Sequence, residues 1–218
     1  MERFFILNDK NTFYDWDLIV TDKVINPPEI KTNYVDIDGM SGSLDLTEAL
    51  TGEITYKDRT ISALFWTNRG NRKDRSALIG DIRAYLHGRK IKIIEPDDPE
   101  HYFDGRVKIT SEKNNIAYAE IGIEAICSPW RYAINESERI VNVNGSNVTD
   151  VVINNHGVKT LCPTITVIGN INIIYDGSTI PLTTGAYQIS DIRLTRGANV
   201  IGVSGVGTVT FTYREANI

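Results

Sequence analysis

Residues 34–66, YVDIDGMSGSLDLTEALTGEITYKDRTISALFW, set a glycine-bracketed turn, a Leu-Thr segment and a β-rich run in a fixed order. Gly39 and Gly42 bracket the turn, after which Leu44, Leu46 and Leu50 alternate loosely with polar residues until Gly52 closes the segment. The run from Glu53 to Trp66 is rich in Ile, Thr, Tyr and Phe, side chains that suit a pleated, half-buried surface, so a strand is expected there. Nothing in the stretch looks catalytic.

Upstream, FFILN, FYDWDLIV and VINPPEIKTNYVDI read as short strands between turn residues. Pro27 and Pro28 donate no ladder hydrogen bond and mark an edge or bend. Residues 24–37, which lack a clean period, are expected to form an exposed strand or arm. Downstream, DRSALIGDIRAYLHG places Leu78, Ile79, Ile82, Tyr85 and Leu86 three and four apart, which predicts one helix over about 74–87, with Asp74 as the cap and Gly88 as the left-handed stop. KIKIIE and HYFDGRVKI form a hairpin around EPDDPE. AYAEIGIEAIC alternates as a half-buried strand ending at Cys127-Ser128-Pro129-Trp130.

The charged segment NESER marks a domain boundary, giving residues 1–135 and 136–218. Beyond it only β-rich segments occur, with turns expected at Asn144-Gly145, Asn155-His156-Gly157, Gly169-Asn170, Asp176-Gly177 and Gly197-Ala198-Asn199. The spacing of these segments predicts about eight short strands in an antiparallel sandwich. The fold class is therefore mainly β, in two β-rich domains.

Composition narrows the function. Hydrophobic residues at 41% and charged residues at 23% describe a chain that folds. A net charge of −5 argues against a dedicated nucleic-acid binder. The short basic cluster Arg69, Arg72, Lys73 and Arg75 is interrupted by Asp74 and reads as a solvated loop. Cys127 and Cys162 fall in different domains and read as free buried thiols. The N-terminus lacks the longer apolar core of a signal peptide, and no run approaches the ~20 apolar residues of a membrane helix. A soluble chain made in a cytoplasm is expected.

Candidate chemistry is sparse. Glu95, Asp97, Asp98, Glu100 and Asp104 could hold Ca²⁺ or supply a glycosidase pair, but two prolines and the absence of EF-hand spacing favour solvated acids in a hairpin loop. Asp36-Ile37-Asp38-Gly39 opens like a calcium loop and fails, with Gly at the fourth position and Thr47 where a bidentate Glu is required. Gly39-Met40-Ser41-Gly42 matches a GxxG clamp in letters only, because its flanks are not helical. Ser41 and Ser204 each match half of GxSxG. His87, His101 and His156 lack metal-ligand spacing. His87 is expected to serve the helix C-terminus as a cation, and His101 and His156 to be turn residues. Trp16, Trp66 and Trp130 are expected to pack in a core or interface. No enzyme activity, cofactor or metal is expected.

Three blocks resemble the siphophage distal tail (Dit) family. The first is Asp38 to Thr47, including Gly39, Gly42, Asp45 and Leu46, continued by Glu53, Tyr56 and Arg59. The second contains Gly88, Gly105 and Arg106 and closes at Pro129-Trp130, where the family often has Pro-Tyr. The third is LTRGANVIGVSGVGTVTFTYR, residues 194–214. The resemblance implies a ring-forming N-terminal domain with one helix and an arm, followed by a galectin-like sandwich. It further implies a hexameric virion component at the phage tail tip, contacting copies of itself, the tail tube protein and the tail-tip protein around a DNA channel, with other baseplate or receptor-binding proteins as further candidate partners. Six copies would carry a charge of about −30, which would keep DNA from sticking to an acidic lumen. The alternative is a carbohydrate-binding module for attachment to a host surface.

Overall fold

A computed structural model describes residues 4–49 and 51–218, so the expected role of Leu50 lies outside the described residues. The chain divides into two compact units, residues 1–131 with Ile218, and residues 132–217.

The first unit contains β1 (Ile6–Leu7), β2 (Lys10–Asn11), β3 (Ile19–Ile25), β4 (Tyr34–Asp36), β5 (Ser43–Asp45), β6 (Arg59–Thr67), α1 (Arg72–Leu86), β7 (Lys90–Glu95), β8 (Asp98–Asn114) and most of β9 (Ala119–Ala133). Its main sheet runs β2-β1-β7-β8-β9-β6-β3. Strict alternation along β6 buries Ile61, Ala63 and Phe65, and the same period on β9 buries Ala119, Ile121, Ile123, Ala125 and Cys127. Ile79, Ile82 and Leu86 of α1 close over this face in one core with Phe5, Leu7 and Leu18.

The details differ from the sequence expectations where side chains bond to nearby backbone. FYDW is not strand: Asn11 Oδ1 accepts the Phe13 and Tyr14 N–H groups and Asp15 Oδ2 accepts that of Asn11, holding a turn until β3 begins at Ile19. Asn71, not Asp74, caps α1. Its Oδ1 accepts from Lys73 and Asp74, while Asp74 reaches back to the Asn71 N–H in a reciprocal capping box. Gly88 follows the C-cap with φ +79°. His87 Nδ1 accepts the Ile109 N–H at 3.1 Å, which makes it an acceptor there rather than the expected cation. β9 runs through Pro129 to Ala133 instead of ending at Trp130.

Arg75 overturns the solvated-loop reading of the basic cluster. It is 2% exposed, and its guanidinium donates to the carbonyls of Gly70 at 2.8 Å and of Asn115 and Ile116, each at 2.9 Å. This ties the start of α1 to the β8–β9 turn.

The second unit contains β10 (Ser137–Asn155), β11 (Thr164–Tyr175), β12 (Ser178–Leu182), β13 (Gly185–Gln188), β14 (Gly197–Tyr213) and β15 (Ala216–Asn217). Three of these strands are long and cross the unit from end to end, in the order β10-β14-β11. Asn144-Gly145 and Gly169-Asn170 are therefore not chain reversals, as the sequence suggested, but points inside strands. Gly145 pairs with Gly205, and Gly207 with Gly169, so glycines line up across all three strands. On one side of this line β13 extends the sheet beyond β11, and on the other side β12 does. Buried residues keep one parity through the line: Ile165 and Val167, then Ile171 and Ile173 on β11; Ile201 and Val203, then Val209 and Phe211 on β14. All of them join one core, so the sheet folds over its own buried face into an antiparallel sandwich.

Both cysteines are free, but only Cys127 is buried; Cys162 is exposed, which corrects the expectation of two buried thiols. Burial pushes the Cys127 thiol up to about 12. At neutral pH this leaves on the order of 10³-fold less thiolate than an unperturbed cysteine. In the native protein, titration with a thiol-reactive disulfide reagent is expected to label one cysteine within minutes and the second only after denaturant is added. Fast labelling of both without denaturant would contradict the packing described here.

Candidate assembly interface

Between β3 and β6 the chain leaves the sheet as a two-limbed hairpin. The limbs are held by the Ile30–Tyr56 bridge, by Lys31 N–H donating to Thr55 O at 2.8 Å, by Lys57 N–H donating to Glu29 O at 2.7 Å and by Leu46 N–H donating to Asn33 O at 2.8 Å. Farther out, β4 pairs with β5 in register Tyr34–Asp45 to Asp36–Ser43. The arm is thus not residues 24–37 alone. Val24 and Ile25 belong to β3 and pair with Ser62 and Ile61, while 53–58, read from sequence as part of a strand, form the returning limb.

The outer arm carries apolar residues without a core. Tyr34 is 60% exposed, and Ile30, Ile37, Met40, Leu44 and Ile54 are exposed as well. The absence of a clean two-residue period in the sequence has this cause: both faces of the hairpin meet solvent. A groove of about 720 Å³ runs along it, lined by Ile30, Tyr34 and Ile54 with the carboxylates of Asp45 and Glu48. Thr47 holds the carboxyl of Asp45 below its usual range, chiefly through its side chain and also through its N–H, which donates to Oδ1 at 2.9 Å.

The family-motif residues fall into three groups. Gly39 and Gly42 (φ +85° and +81°) make the arm's tip, followed by Asp45, Leu46 and Glu53 along the returning limb. Gly88 and Arg106 meet where the helix ends, with Arg106 Nη1 donating to Gly88 O at 2.6 Å. Tyr56, Arg59, Gly105, Pro129 and Trp130 lie where the arm joins the sheet. There the Tyr56 and Trp130 rings pack edge to face at 5.4 Å, and Arg59 pairs with Cys127 across β6 and β9. Gly105 has no substitute at this position, since a Cβ would lie 2.3 Å from Cys127 Sγ and 2.8 Å from Ile126 O.

Of the acids of 95–104, Glu95, Asp97, Asp98 and Asp104 are ion-paired rather than loosely solvated, and Glu100 is exposed as expected. Lys23 bridges Glu95 and Asp97, Asp98 meets His101 at 2.8 Å and Arg131 at 2.9 Å, and Lys90 meets Asp104 at 2.7 Å. His101 lies within β8, not in a turn. Among the described residues no three His, Cys, Asp or Glu side chains converge as a metal site requires. None of the helices there is long and apolar enough to cross a membrane.

No protein-family model and no curated protein matches the chain. Among solved structures, the crystal structure of the SPP1 Dit protein (gp 19.1), described as a paradigm of the hub adsorption apparatus in phages infecting Gram-positive bacteria, aligns with a TM-score of 0.70. The alignment covers 97% of this chain and 98% of that one at 14% identity. This chain has the Dit fold. At that identity the likeness lies in the path of the backbone, and it covers both units. Within the Dit fold, the arm and the Arg59 region are the features that sequence reasoning located only in outline: the glycines marked the arm's tip, but no periodicity marked its second limb.

Proposed function

We propose that the protein is a structural component of a phage or prophage tail, six copies of which close a ring that joins the tail tube to the tail-tip proteins around the DNA channel. The observation that carries this reading is the arm. A two-stranded hairpin with apolar residues on both faces is marginal alone in water. It gains stability when a neighbouring surface covers those residues and when its edges pair with another sheet. Head-to-tail contacts of this kind close into rings when the rotation fits. The full-length likeness to the SPP1 Dit protein supports the same role, and the family-motif positions on the arm and at its base are then structural positions.

The test is a comparison of the full chain with a variant in which residues 32–54 are replaced by a short Gly-containing turn, which keeps the bonds of Glu29 and Lys31 to the returning limb. Light scattering after gel filtration is expected to give about six times 24.4 kDa for the full chain and the monomer mass for the variant, with the same far-UV spectrum per residue outside the arm. A full chain that stays monomeric up to millimolar concentration and with candidate tail partners would contradict the reading. Saturable glycan binding by such a monomer would favour the carbohydrate-binding alternative.

A further inference from the structure

The acidic excess of the chain is confined to the arm. Residues 32–56 hold five carboxylates, Asp36, Asp38, Asp45, Glu48 and Glu53, and no Lys, Arg or His, so the other 23 acids are balanced by the 23 Lys and Arg of the whole chain. All five are exposed. Asp36 and Asp45 accept from neutral donors, Ser43 Oγ at 2.6 Å and the Thr47 N–H at 2.9 Å, and these bonds cancel none of the charge. Asp45 and Glu48 line the groove beside the exposed Ile30, Tyr34 and Ile54. An apolar floor edged by carboxylates suits Lys or Arg, whose stem is apolar and whose head is cationic.

Opposite charge is collected on one face of the main sheet. Where β7 and β8 turn Ile91, Ile93, Phe103 and Val107 into the core, the alternate residues point outward: Lys90 and Lys92 on one strand, Asp104, Arg106 and Lys108 on the other. Lys90 pairs with Arg106 and Lys92 with Asp104 across the two strands, so the four cations form one patch. Asp104 meets Lys90, and Glu124 of β9 meets Lys108, each at 2.7 Å. Lys92 and Arg106 have no carboxylate partner among the described residues: Lys92 Nζ stands over the Tyr102 ring, 4.8 Å from its centroid, and Arg106 donates to Gly88 O. Both the patch and the arm are exposed in the single chain, so the arm does not cover the patch of its own copy.

We propose, resting on the ring reading, that the outward face of β7 and β8 is the docking surface for the arm of a second copy, whose carboxylates meet Lys92 and Arg106. A contact between two different surfaces of one chain is head-to-tail, the kind that a closed ring repeats. Complementary charge fixes which surfaces meet and makes the assembly weaken as salt rises.

The test reverses the charge on each surface. Lys92→Glu with Arg106→Glu alters the face, and Asp38→Lys with Glu48→Lys alters the arm while keeping Asp45 and its bond to Thr47. By light scattering, each variant alone is expected to need on the order of 100-fold more protein than the wild type to assemble. Mixed in equal amounts, the two are expected to regain about six times 24.4 kDa, because reversed arms fit reversed faces when the two alternate around the ring. Lys92→Glu alone, with Arg106 and its bond to Gly88 kept, is expected to shift assembly in the same direction if the double variant does not fold. Variants that assemble as the wild type does, or a mixture of folded variants that stays monomeric, would overturn this docking surface and leave the ring reading standing. Loss of duplex DNA binding by the face variant with unchanged assembly would overturn it too, assigning the patch to nucleic acid. A wild-type chain that never assembles would overturn both.

Discussion

Gly207→Ala is expected to destabilise the C-terminal unit by about 3–5 kcal/mol, enough to leave it largely unfolded at physiological temperature. Gly207 has φ +146°, and a Cβ there would stand 2.0 Å from Ile168 O and 3.1 Å from the Cα of Gly169. Neither atom belongs to a side chain that can rotate away. The substitution must therefore open the β14–β11 ladder at the line where the sheet bends, and with it the layer that carries Val209 and Phe211. Gly145→Ala is the control. It has a similar φ of +139° but nothing within 4 Å of the new Cβ, so it carries the conformational strain without the overlap. Urea denaturation followed by far-UV circular dichroism should give a much larger loss for Gly207→Ala than for Gly145→Ala. Equal losses would mean that the bend depends on φ alone and not on the close approach of the strands.

Arg75→Met is expected to cost the N-terminal unit about 3 kcal/mol, a fall in melting temperature of roughly 6–12 °C. The side chain's volume is largely preserved. What disappears is a buried cation whose donors face the carbonyls of Gly70, Asn115 and Ile116, which are left facing a methyl group. Arg59→Met has the opposite expectation although Arg59 is also buried. With no hydrogen bond or ion pair to lose among the described residues, replacing the cation by an apolar chain of similar length removes a desolvation cost and leaves stability unchanged or raised. Thermal melts of the two variants, followed by tryptophan fluorescence from Trp16, Trp66 and Trp130, should separate in sign. A large loss for Arg59→Met would show that the guanidinium is satisfied in the native chain.

These two arginines show where the sequence stops being informative. Arg75 was visible as one of four basic residues, and charge spacing gave no reason to distinguish it from Arg69, Arg72 or Lys73. Only the arrival of the β8–β9 turn, 40 residues later in the chain, supplies the carbonyls that hold it. The helix was legible because its apolar residues recur at a local period. Its cap lies three residues before the Asp74 that the sequence suggests, because Asn71 and Asp74 act reciprocally and either is a good capping residue by type. Glu95, Asp97 and Asp98 looked solvated because their partners, Lys23 and Arg131, come from other strands.

The sequence by itself determined the β character of both units, the single helix among the described residues, the Pro-Asp hairpin and the exposed glycine-bracketed tip, all of which follow from periodicity and turn chemistry within a few residues. It also pointed to β segments along the C-terminal unit, about eight short strands where the described residues form six, because it did not show that three of them continue through their glycines. Whether a glycine inside a β-rich run reverses the chain or bends a continuing strand depends on what lies beside it. Gly145, Gly169, Gly205 and Gly207 lie inside continuing strands where they align across three neighbours, and at Gly169, Gly205 and Gly207 the backbones come too close for any side chain. That alignment, the second limb of the arm and the placement of Arg59 against Phe103 and Cys127 are long-range pairings, and only the tertiary structure decides them, because register between distant strands is set by the shared core and not by any local pattern.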